Sequence, residues 1–418
     1  MKEIKNMPCN KTIDNSLLLL FEGYPFIQNR CKKYKTDIFE TRLLGKKVIC
    51  MSGAEAAKTF YNDSHFIRKN VAPKRVQKTL FGEHGVQSLD DGDHKDRKEM
   101  FMSIMNYESL KTLIQYTREQ WEMNTKKWSN KDIVLFDEVQ IIMCQVACKW
   151  AGIPLRSNEI IRRTNDLGKM IDGFGGVGVR YWQGKCARKN SEKWIADIIT
   201  NIRSQKTSPK ECTAAYIIAW YRNEDKRILS TQIAAVELLN IIRPIVAIAT
   251  YITFGALAMH KHPECRLNIR ANKNDYKQMF VQEVRRFYPF TPFVGAKVRK
   301  SFIWKGYYFK EGTLVLLDIY GANHSEKSWA NPNEFIPERF DHFKDDHFTF
   351  IPQGGGDYDK GHRCAGELIT IEIMKESFSF LATNLSYKVP LQNLNYPLCR
   401  IPPLPKSKFI INRVMQIN

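Results

Sequence analysis

The run of apolar residues from Ile245 to Met259 is the feature that most constrains how this chain can fold. It is interrupted by Thr250, Thr253 and Gly255, and it is shorter than the ~20 apolar residues that span a bilayer. A helix that is apolar on every face has to be surrounded by other parts of the protein. We therefore predict a buried core helix over residues 230–260 and no integral membrane segment.

Helical periodicity extends over much of the remaining chain. It predicts a helix that ends near Tyr288 and others over residues 14–34, 108–128, 136–151, 158–172 and 187–204. Ser52 is a candidate N-cap for a helix that begins near Gly53.

Short strands are predicted by alternating patterns at residues 39–44 and 47–51, and again at 296–317 around a turn at Lys305-Gly306. No repeat or flexible linker stands out between these segments. We therefore expect a mainly α fold with small β-sheets (α+β), in a single domain over residues 1–418.

The cysteine spacing and the charge of the chain argue against several classes of protein. The ten cysteines include no C-x-x-C pair, which argues against a zinc or disulfide framework. The first apolar cluster, Leu17 to Phe21, lacks the cleavage pattern of a signal peptide, so we expect a cytoplasmic location. The net charge of +20 would suit nucleic acid, an acidic protein or an anionic substrate. Because the basic residues are scattered and no nucleic-acid motif accompanies them, we do not expect nucleic-acid binding.

A cysteine framed by glycines lies just before an apolar helical pattern. Cys364 follows the glycine-rich segment 351–356 and precedes the run 368–374. Backbone N–H groups at a helix start can hydrogen-bond a thiolate and hold its pKa down, and glycine allows a flat macrocycle to approach the backbone. The pattern is typical of a haem thiolate ligand. The alternative is an ordinary buried cysteine in a glycine-rich turn.

Two further segments supply charged residues. Glu283 and Arg286 lie three residues apart on one predicted helix, and Arg339 follows in the segment Pro-Glu-Arg-Phe. Together they can form a buried ion network, although such pairs are more often exposed and weak.

Arg243 and Pro244 interrupt the apolar core helix. Both are costly there, because proline removes a backbone hydrogen bond and a buried guanidinium needs an anion. This cost indicates function. The alternatives are pairing with Glu237 or a side chain that extends to solvent.

The order of these segments resembles the cytochrome P-450 superfamily, and phrases along the chain resemble its bacterial fatty-acid peroxygenases. They are Asp14-Asn-Ser-Leu17, Pro73-Lys-Arg75, Arg243-Pro-Ile-Val-Ala247, Gln282-Glu-Val-Arg-Arg286 and Ile351-Pro-Gln-Gly-Gly-Gly356. The resemblance implies haem b held between a long central distal helix and the cysteine-loop helix. It also implies that Cys364 is the iron ligand and that Glu283, Arg286 and Arg339 are structural.

The resemblance also implies a reaction. The acid-alcohol pair that oxygen-activating relatives carry in the central helix is absent here, and Arg243-Pro244 occupies the region. A fatty-acid carboxylate held by Arg243 would assist the cleavage of hydrogen peroxide. We expect hydroxylation of long-chain fatty acids at the β and α carbons without an obligatory redox partner. The alternatives are decarboxylation to terminal alkenes and a reductase-dependent monooxygenase.

The resemblance to the fatty-acid peroxygenases also implies that two residues influence which product forms. Gln87 matches a position that is glutamine in hydroxylating members, and Phe81 matches an aromatic position associated with β attack. Against this, the segment 356–367 resembles the olefin-forming decarboxylase more closely.

The remaining site predictions concern haem propionates and the acyl chain. His94, Arg97 and Lys98 lie at i, i+3 and i+4 spacing, and the likeness supports His94 and Lys98 as propionate contacts. Such spacing is also common on an exposed basic face. The weaker propionate candidates are Arg68 and Arg363, and the candidates for the acyl pocket are Phe174, Phe290 and Phe293, of which Phe174 lies in a glycine-rich predicted channel lid.

Overall fold

The predicted core helix is the centre of the structure. The computed structural model describes residues 4–10, 12–271 and 275–417, and in it this helix spans Thr231–Lys261. Its start is capped by the Ser230 side chain, which accepts a hydrogen bond from the Ile233 N–H over 3.2 Å. Among the described residues it is the one helix long and apolar enough to cross a membrane, and 89% of its most apolar window is buried. The prediction of a buried core helix is confirmed.

The other helices confirm the mainly α prediction. They are Ser16–Glu22, Phe26–Tyr34, Ala54–Phe60, Lys74–Val76, Asp91–Ile104, Tyr107–Thr125, Leu135–Ala151, Ile160–Gly173, Val179–Arg203, Ala214–Trp220, Pro263–Ala271, Tyr276–Phe287, Ile319–Asn323 and Glu367–Ser379. The predicted helices over 108–128, 136–151, 158–172 and 230–260 agree with these to within a few residues.

Two helix boundaries differ from the predictions. The helix predicted over 14–34 is two helices, because Gly23 has a φ of 64° and a side chain there would meet the Leu398 carbonyl at 2.1 Å. The helix predicted over 187–204 begins at Val179. Its first turns contain Gly184, where a Cβ would lie 2.9 Å from the Lys169 carbonyl. A glycine used for close backbone packing carries no apolar periodicity, so the pattern missed these turns.

The strands form three small sheets. They are β1 Ile38–Leu43, β2 Lys46–Met51, β3 Phe66–Ile67, β4 Ile133–Val134, β5 Phe293–Val298, β6 Phe302–Trp304, β7 Tyr307–Phe309, β8 Leu314–Asp318, β9 Leu385–Lys388 and β10 Ile410–Gln416. The largest has the order β1-β2-β8-β5-β3, with only β2 and β8 parallel. The turn predicted at Lys305-Gly306 joins β6 and β7, and both residues have the positive φ values, 51° and 86°, that a tight hairpin turn requires.

The predicted ion network around Glu283 is confirmed. The two carboxylate oxygens accept hydrogen bonds from Arg286 Nε and Nη2 over 2.7 and 2.8 Å, and Arg339 Nε lies 3.3 Å away. The side chains of Glu283 and Arg286 have no exposed surface. Arg286 also donates to the carbonyls of Asn323 and Pro332. The network therefore joins the helix Tyr276–Phe287 to the segment that precedes the cysteine loop.

Ser52 is not a helix cap, contrary to the prediction. The helix Ala54–Phe60 begins after Gly53, and the Ser52 hydroxyl instead donates to Asp318 Oδ2 over 3.3 Å. Asp318 also accepts the Gly321 N–H over 2.8 Å and is fully buried. Burial raises the pKa of the Asp318 carboxyl to about 7, against the opposing effect of these two hydrogen bonds.

Asp318→Asn is expected to remove part of the pH dependence of stability. An unfolded aspartate has a pKa of about 3.9, so between about pH 4 and 7 the unfolded chain releases a proton that the folded chain keeps. The free energy of unfolding of the wild type therefore falls as pH rises through this window, by on the order of 2–4 kcal/mol from this residue. Asn keeps an acceptor for Gly321 and does not titrate. Urea unfolding at several values between about pH 4.5 and 7 measures how the free energy of unfolding changes with pH in the variant and in the wild type.

The exposed Asp63→Asn is the matched control and should leave the wild-type slope unchanged. An Asp318→Asn slope equal to that of the wild type would contradict a raised pKa at Asp318.

Candidate active site

Cys364 lies at the start of the helix Glu367–Ser379, where Gly366 is the N-cap. Its backbone N–H donates to the Gln353 carbonyl over 3.1 Å, and Gln353 Nε2 lies 3.9 Å from the Cys364 sulfur. The sulfur is surrounded by protein atoms, yet the residue has accessible surface. These two observations indicate that the side chain borders space inside the protein.

The charge state of this cysteine differs from the prediction. Burial raises the pKa of the Cys364 thiol, and Glu367 raises it further, while the Gly366 N–H, Lys98 and Arg285 act in the opposite direction. The helix-start N–H group is present as predicted, but it does not outweigh desolvation. Coordination to a metal deprotonates a thiol outright, so iron would generate the thiolate, and the Gly366 N–H, Lys98 and Arg285 would then favour its negative charge.

A buried ion network supports the cysteine loop. Glu367 accepts from Arg363 Nε over 2.6 Å and also pairs with Arg285 Nη2. Arg285 Nε donates to Gln353 Oε1 over 3.1 Å, which connects the network to the residue beside the sulfur. Arg363 further pairs with Asp345 over 3.0 Å. These two acids occupy the guanidinium of Arg363, so Arg363 stabilises the cysteine loop. We therefore do not retain it as a propionate candidate.

Cationic and imidazole side chains cluster beside the cysteine. His94 stacks on His362 with ring centroids 3.9 Å apart. Burial, and then the charges of Lys98 and Arg68, lowers the pKa of His94 to about 4. Burial also lowers the pKa of His362 to about 2, with Arg68 as the next cause. Both imidazoles are therefore neutral at pH 7. Together with Arg68 and Lys98 they form a cluster of four hydrogen-bond donors from three segments of the chain.

The sequence interpretation missed His362, although it is two residues from Cys364. Its signal was weak, because a histidine in a loop has many roles and its stacking partner is far away in the chain. Lys98 donates to the Arg363 carbonyl over 2.6 Å, and Arg68 Nη2 donates to the Phe60 carbonyl over 3.2 Å. Burial lowers the pKa of both cations.

These residues fit haem b. The sulfur of Cys364 has the donor chemistry of an axial iron ligand. The cluster of Arg68, His94, Lys98 and His362 supplies N–H donors and positive charge suited to two propionates. The glycine-rich loop packs closely on Tyr61, since a Cβ at Gly354 would lie 2.9 Å from the Tyr61 hydroxyl.

Arg243 lies in the middle of the central helix and is only 6% exposed. Within the described residues its Nε is buried without a hydrogen-bond partner. Burial, followed by repulsion from Arg188, lowers the pKa of Arg243 to about 9, while the Cys364 sulfur acts in the opposite direction. The guanidinium and the sulfur therefore act on each other across the interior of the protein. The next residue, Pro244, is half-buried, whereas every other residue from Ala234 to Met259 is buried.

The alternative partner of Arg243 is already occupied. Glu237 pairs with Arg97 over 2.5 Å, and Arg97 is buried rather than part of an exposed basic face. Asn240 Nδ2 contacts both Glu237 Oε2 over 3.1 Å and Gln87 Oε1 over 3.3 Å. Gln87 therefore lies against the central helix one turn before Arg243. The sequence interpretation missed Arg97, Glu237 and Asn240 as members of this network, because no local spacing connects Arg97 with Glu237.

The aromatic candidates occupy two different environments. Phe81 precedes Gly82, which packs so closely on Val236 of the central helix that a Cβ would lie 2.6 Å from it. Phe290 stacks on Tyr251 of the same helix with centroids 4.8 Å apart. Both therefore lie beside the helix that carries Arg243.

Phe174 and Phe293 lie elsewhere. Phe293 packs against the apolar cluster that contains Phe26, Phe39 and Leu316, so the structure gives it a core-packing role. Phe174 follows the end of the helix Ile160–Gly173 and is half-buried. Their placement in the acyl pocket stays a prediction.

The family model for cytochrome P-450 matches residues 270–400, which include Glu283, Arg339 and Cys364. The solved structure of cytochrome P-450EX alpha with myristic acid is 42% identical in sequence to this chain and has a TM-score of 0.96. The match covers 99% of this chain and 100% of that one. A variant of cytochrome P-450SP alpha is 42% identical, with 97% of this chain and 100% of that chain covered and a TM-score of 0.94.

A variant of cytochrome P-450 OleT in complex with arachidonic acid is 36% identical, covers 99% of this chain and 99% of its own, and has a TM-score of 0.96. Identity at this level over whole chains extends well beyond a shared fold. The predicted cofactor, haem b, and the predicted class of substrate, fatty acids, agree with these matches. This chain belongs to the cytochrome P-450 superfamily, in its branch of haem-thiolate fatty-acid peroxygenases.

Proposed function

We propose that this enzyme uses hydrogen peroxide to hydroxylate long-chain fatty acids at the β and α carbons, with the substrate carboxylate bound to Arg243. The observation that carries the proposal is the buried guanidinium whose Nε has no partner within the described residues. The nearby carboxylate of Glu237 is engaged by Arg97. A carboxylate that arrives with the substrate would supply the missing anion.

The energetics support this pairing. Two unit charges 4 Å apart attract by about 4 kcal/mol at an effective dielectric constant near 20. Arginine can in addition bind a carboxylate through two parallel hydrogen bonds, which fixes its orientation. Anchoring one end of the chain beside the cavity limits which carbons can react, so that C2 and C3 lie closest to the cysteine side and the methyl terminus lies far from it.

The same carboxylate has a second use. Bound haem supplies an iron centre with a thiolate ligand, which promotes O–O bond cleavage and oxidation of a nearby C–H bond. A carboxylate oxygen held by Arg243 can accept one peroxide proton and release it to the departing oxygen, which leaves as water. The reaction then converts one fatty acid and one peroxide to one hydroxy acid and one water. No electron donor is needed, so we propose no obligatory redox partner.

Gln87 and Pro244 complete the proposed site. The Gln87 side-chain oxygen is engaged by Asn240, which leaves its amide N–H groups for the cavity. Pro244 has no N–H, so it frees the Asn240 carbonyl from the helical pattern. We also propose a cytoplasmic location, since the ten cysteines, all within the described residues, are free thiols. We also propose one domain over residues 1–418, which is supported by the largest of the three apolar clusters in the described residues, whose buried members range from Met100 to Val414.

Arg243→Ala is expected to abolish fatty-acid oxidation while leaving haem binding intact. Loss of a charge-assisted ion pair should weaken fatty-acid binding by about 100-fold. The assay mixes haem-loaded protein with myristic acid and hydrogen peroxide, without reductase, and identifies products by gas chromatography with mass spectrometry. The carbon monoxide difference spectrum reports whether the thiolate ligation is preserved.

Arg243→Lys is the matched control, because it keeps the charge and should retain part of the binding. A fatty alcohol of the same length should bind equally well to the wild type and to Arg243→Ala. Unchanged turnover in Arg243→Ala would remove the carboxylate mechanism. Wild-type activity that requires a reductase would favour the monooxygenase alternative, and terminal alkenes would favour decarboxylation.

Phe81→Leu is expected to shift hydroxylation from C3 toward C2. The residue lies beside the close contact of Gly82 with the central helix, so its volume affects how far the carboxylate end can approach Arg243. The ratio of 2-hydroxy to 3-hydroxy myristic acid measures the effect, and we expect a change of about threefold or more. Phe302→Leu, an equal change at a half-buried residue of the β6–β7 hairpin, should leave the ratio unchanged. Equal shifts in both variants would contradict a specific role for Phe81.

A further inference from the structure

The first helix of the chain exposes most of its apolar side chains. Ser16–Glu22 buries none of its residues. Its Leu17, Leu18, Leu20 and Phe21 side chains are 69%, 40%, 46% and 76% exposed. Single exposed apolar residues are common on proteins, but a contiguous group marks a surface that contacts an apolar partner.

A second exposed apolar group lies at the start of the helix Val179–Arg203. Val177, Val179 and Trp182 are 53%, 71% and 58% exposed. Val179 and Trp182 also line a surface groove of about 350 Å³ between this helix and the helix Ile160–Gly173. The groove and the exposed side chains belong to the same surface.

Hydrogen bonds bring the two groups to one edge of the molecule. Next to the first helix, the Tyr24 N–H donates to the Leu398 carbonyl over 3.0 Å. Three residues further along that segment, the Ile401 carbonyl accepts from Arg180 Nη2 over 3.1 Å. The segment 398–401 therefore lies between the two groups.

The turn between β1 and β2 adds one more residue to this edge. Leu44 is 72% exposed, and its N–H donates to Ser16 Oγ over 2.7 Å. We name this surface the apolar face. It consists of the side chains of Leu17, Leu18, Leu20, Phe21, Leu44, Val177, Val179 and Trp182.

Basic residues border the apolar face. Arg42 and Lys46 flank Leu44 and are exposed, and Lys189 and Lys193 are exposed on the helix that carries Trp182. Lys185 lies over the Trp182 ring, 4.7 Å from its centroid. An apolar surface with this border complements a bilayer of anionic phospholipids, into which apolar side chains insert while lysines contact headgroups.

The acidic residue Asp166 lines the groove, and three other acidic residues at the same edge are engaged by basic or N–H groups. Glu22 pairs with Arg30 over 2.9 Å, and Asp172 pairs with Arg180 over 2.9 Å. Asp14 accepts hydrogen bonds from the N–H groups of Ser16 and Gly45. Their charges therefore oppose an anionic surface less than unpaired carboxylates would, and the net charge of the chain is +20.

We propose that the apolar face docks the enzyme on an anionic lipid surface as a peripheral protein. Long-chain fatty acids partition into bilayers, so a docked enzyme would meet its substrate at the membrane. The glycine-rich loop from Phe174 to Gly178, predicted to cover the acyl channel, lies between the helices at this face. Docking would place that loop against the lipid.

The test is flotation of the holoenzyme with vesicles of phosphatidylcholine alone and of phosphatidylcholine mixed with phosphatidylglycerol. The wild type should float with the anionic vesicles, and added salt should weaken the binding. The combined variant Phe21→Ser with Trp182→Ser should bind the anionic vesicles about tenfold more weakly. Leu267→Ser, at an apolar residue that is 61% exposed on the helix Pro263–Ala271, is the matched control and should bind as the wild type does.

The activity on dispersed myristic acid separates this proposal from the proposed function. The double variant should keep that activity while losing vesicle binding, since neither residue belongs to the active site. Equal flotation of the double variant and the wild type would overturn the proposal, as would equal binding to neutral and anionic vesicles. A wild type that forms dimers on gel filtration without lipid, lost in the double variant, would assign the face to a second copy of the chain and also overturn it.

Discussion

A positive charge buried at the centre of an apolar helix is the constraint on which the rest of the site depends. Arg243 is surrounded by the residues that form the core, and transfer of a charge into such surroundings is costly unless an anion accompanies it. Glu237, the carboxylate on the same helix that could have been its partner, is engaged by Arg97. The folded enzyme therefore bears this cost, which the carboxylate of the proposed substrate would offset, and the site would then be selective for carboxylates over neutral chains.

The buried charges around Glu283 and Glu367, in contrast, are paired within the protein. Glu283 lies between Arg286 and Arg339, and Glu367 lies between Arg285 and Arg363. Each of these networks joins segments distant in the chain and holds the cysteine loop against the helix Tyr276–Phe287. The contrast between these satisfied networks and Arg243 separates structural charges from the one proposed to bind substrate.

The haem side of the site follows the same electrostatic reasoning. Arg68 and Lys98 are buried beside two imidazoles whose pKa values are lowered first by burial and then by the neighbouring positive charges. Such a cluster is unfavourable unless anionic groups accompany it, and the propionates of haem b would supply them. Cofactor and substrate would therefore each neutralise a separate group of buried cations, which connects the stability of the protein to the occupancy of both sites.

The sequence by itself determined the chemistry of this protein and much of its helical framework. The cysteine loop, the E-x-x-R helix and the Arg-Pro pair are local patterns, and the core helix was predicted at 230–260 because a helix repeats its apolar positions every few residues. The tertiary structure decided which charges pair. Arg97 and Glu237 are 140 residues apart, and His94 meets His362 across a still larger gap. Pairing at such distances depends on how helices pack, which no local spacing records. Burial was decided in the same way, since the alternating patterns of residues 39–44 and 47–51 predicted strands but did not predict that Asp318 would lie buried beside Ser52.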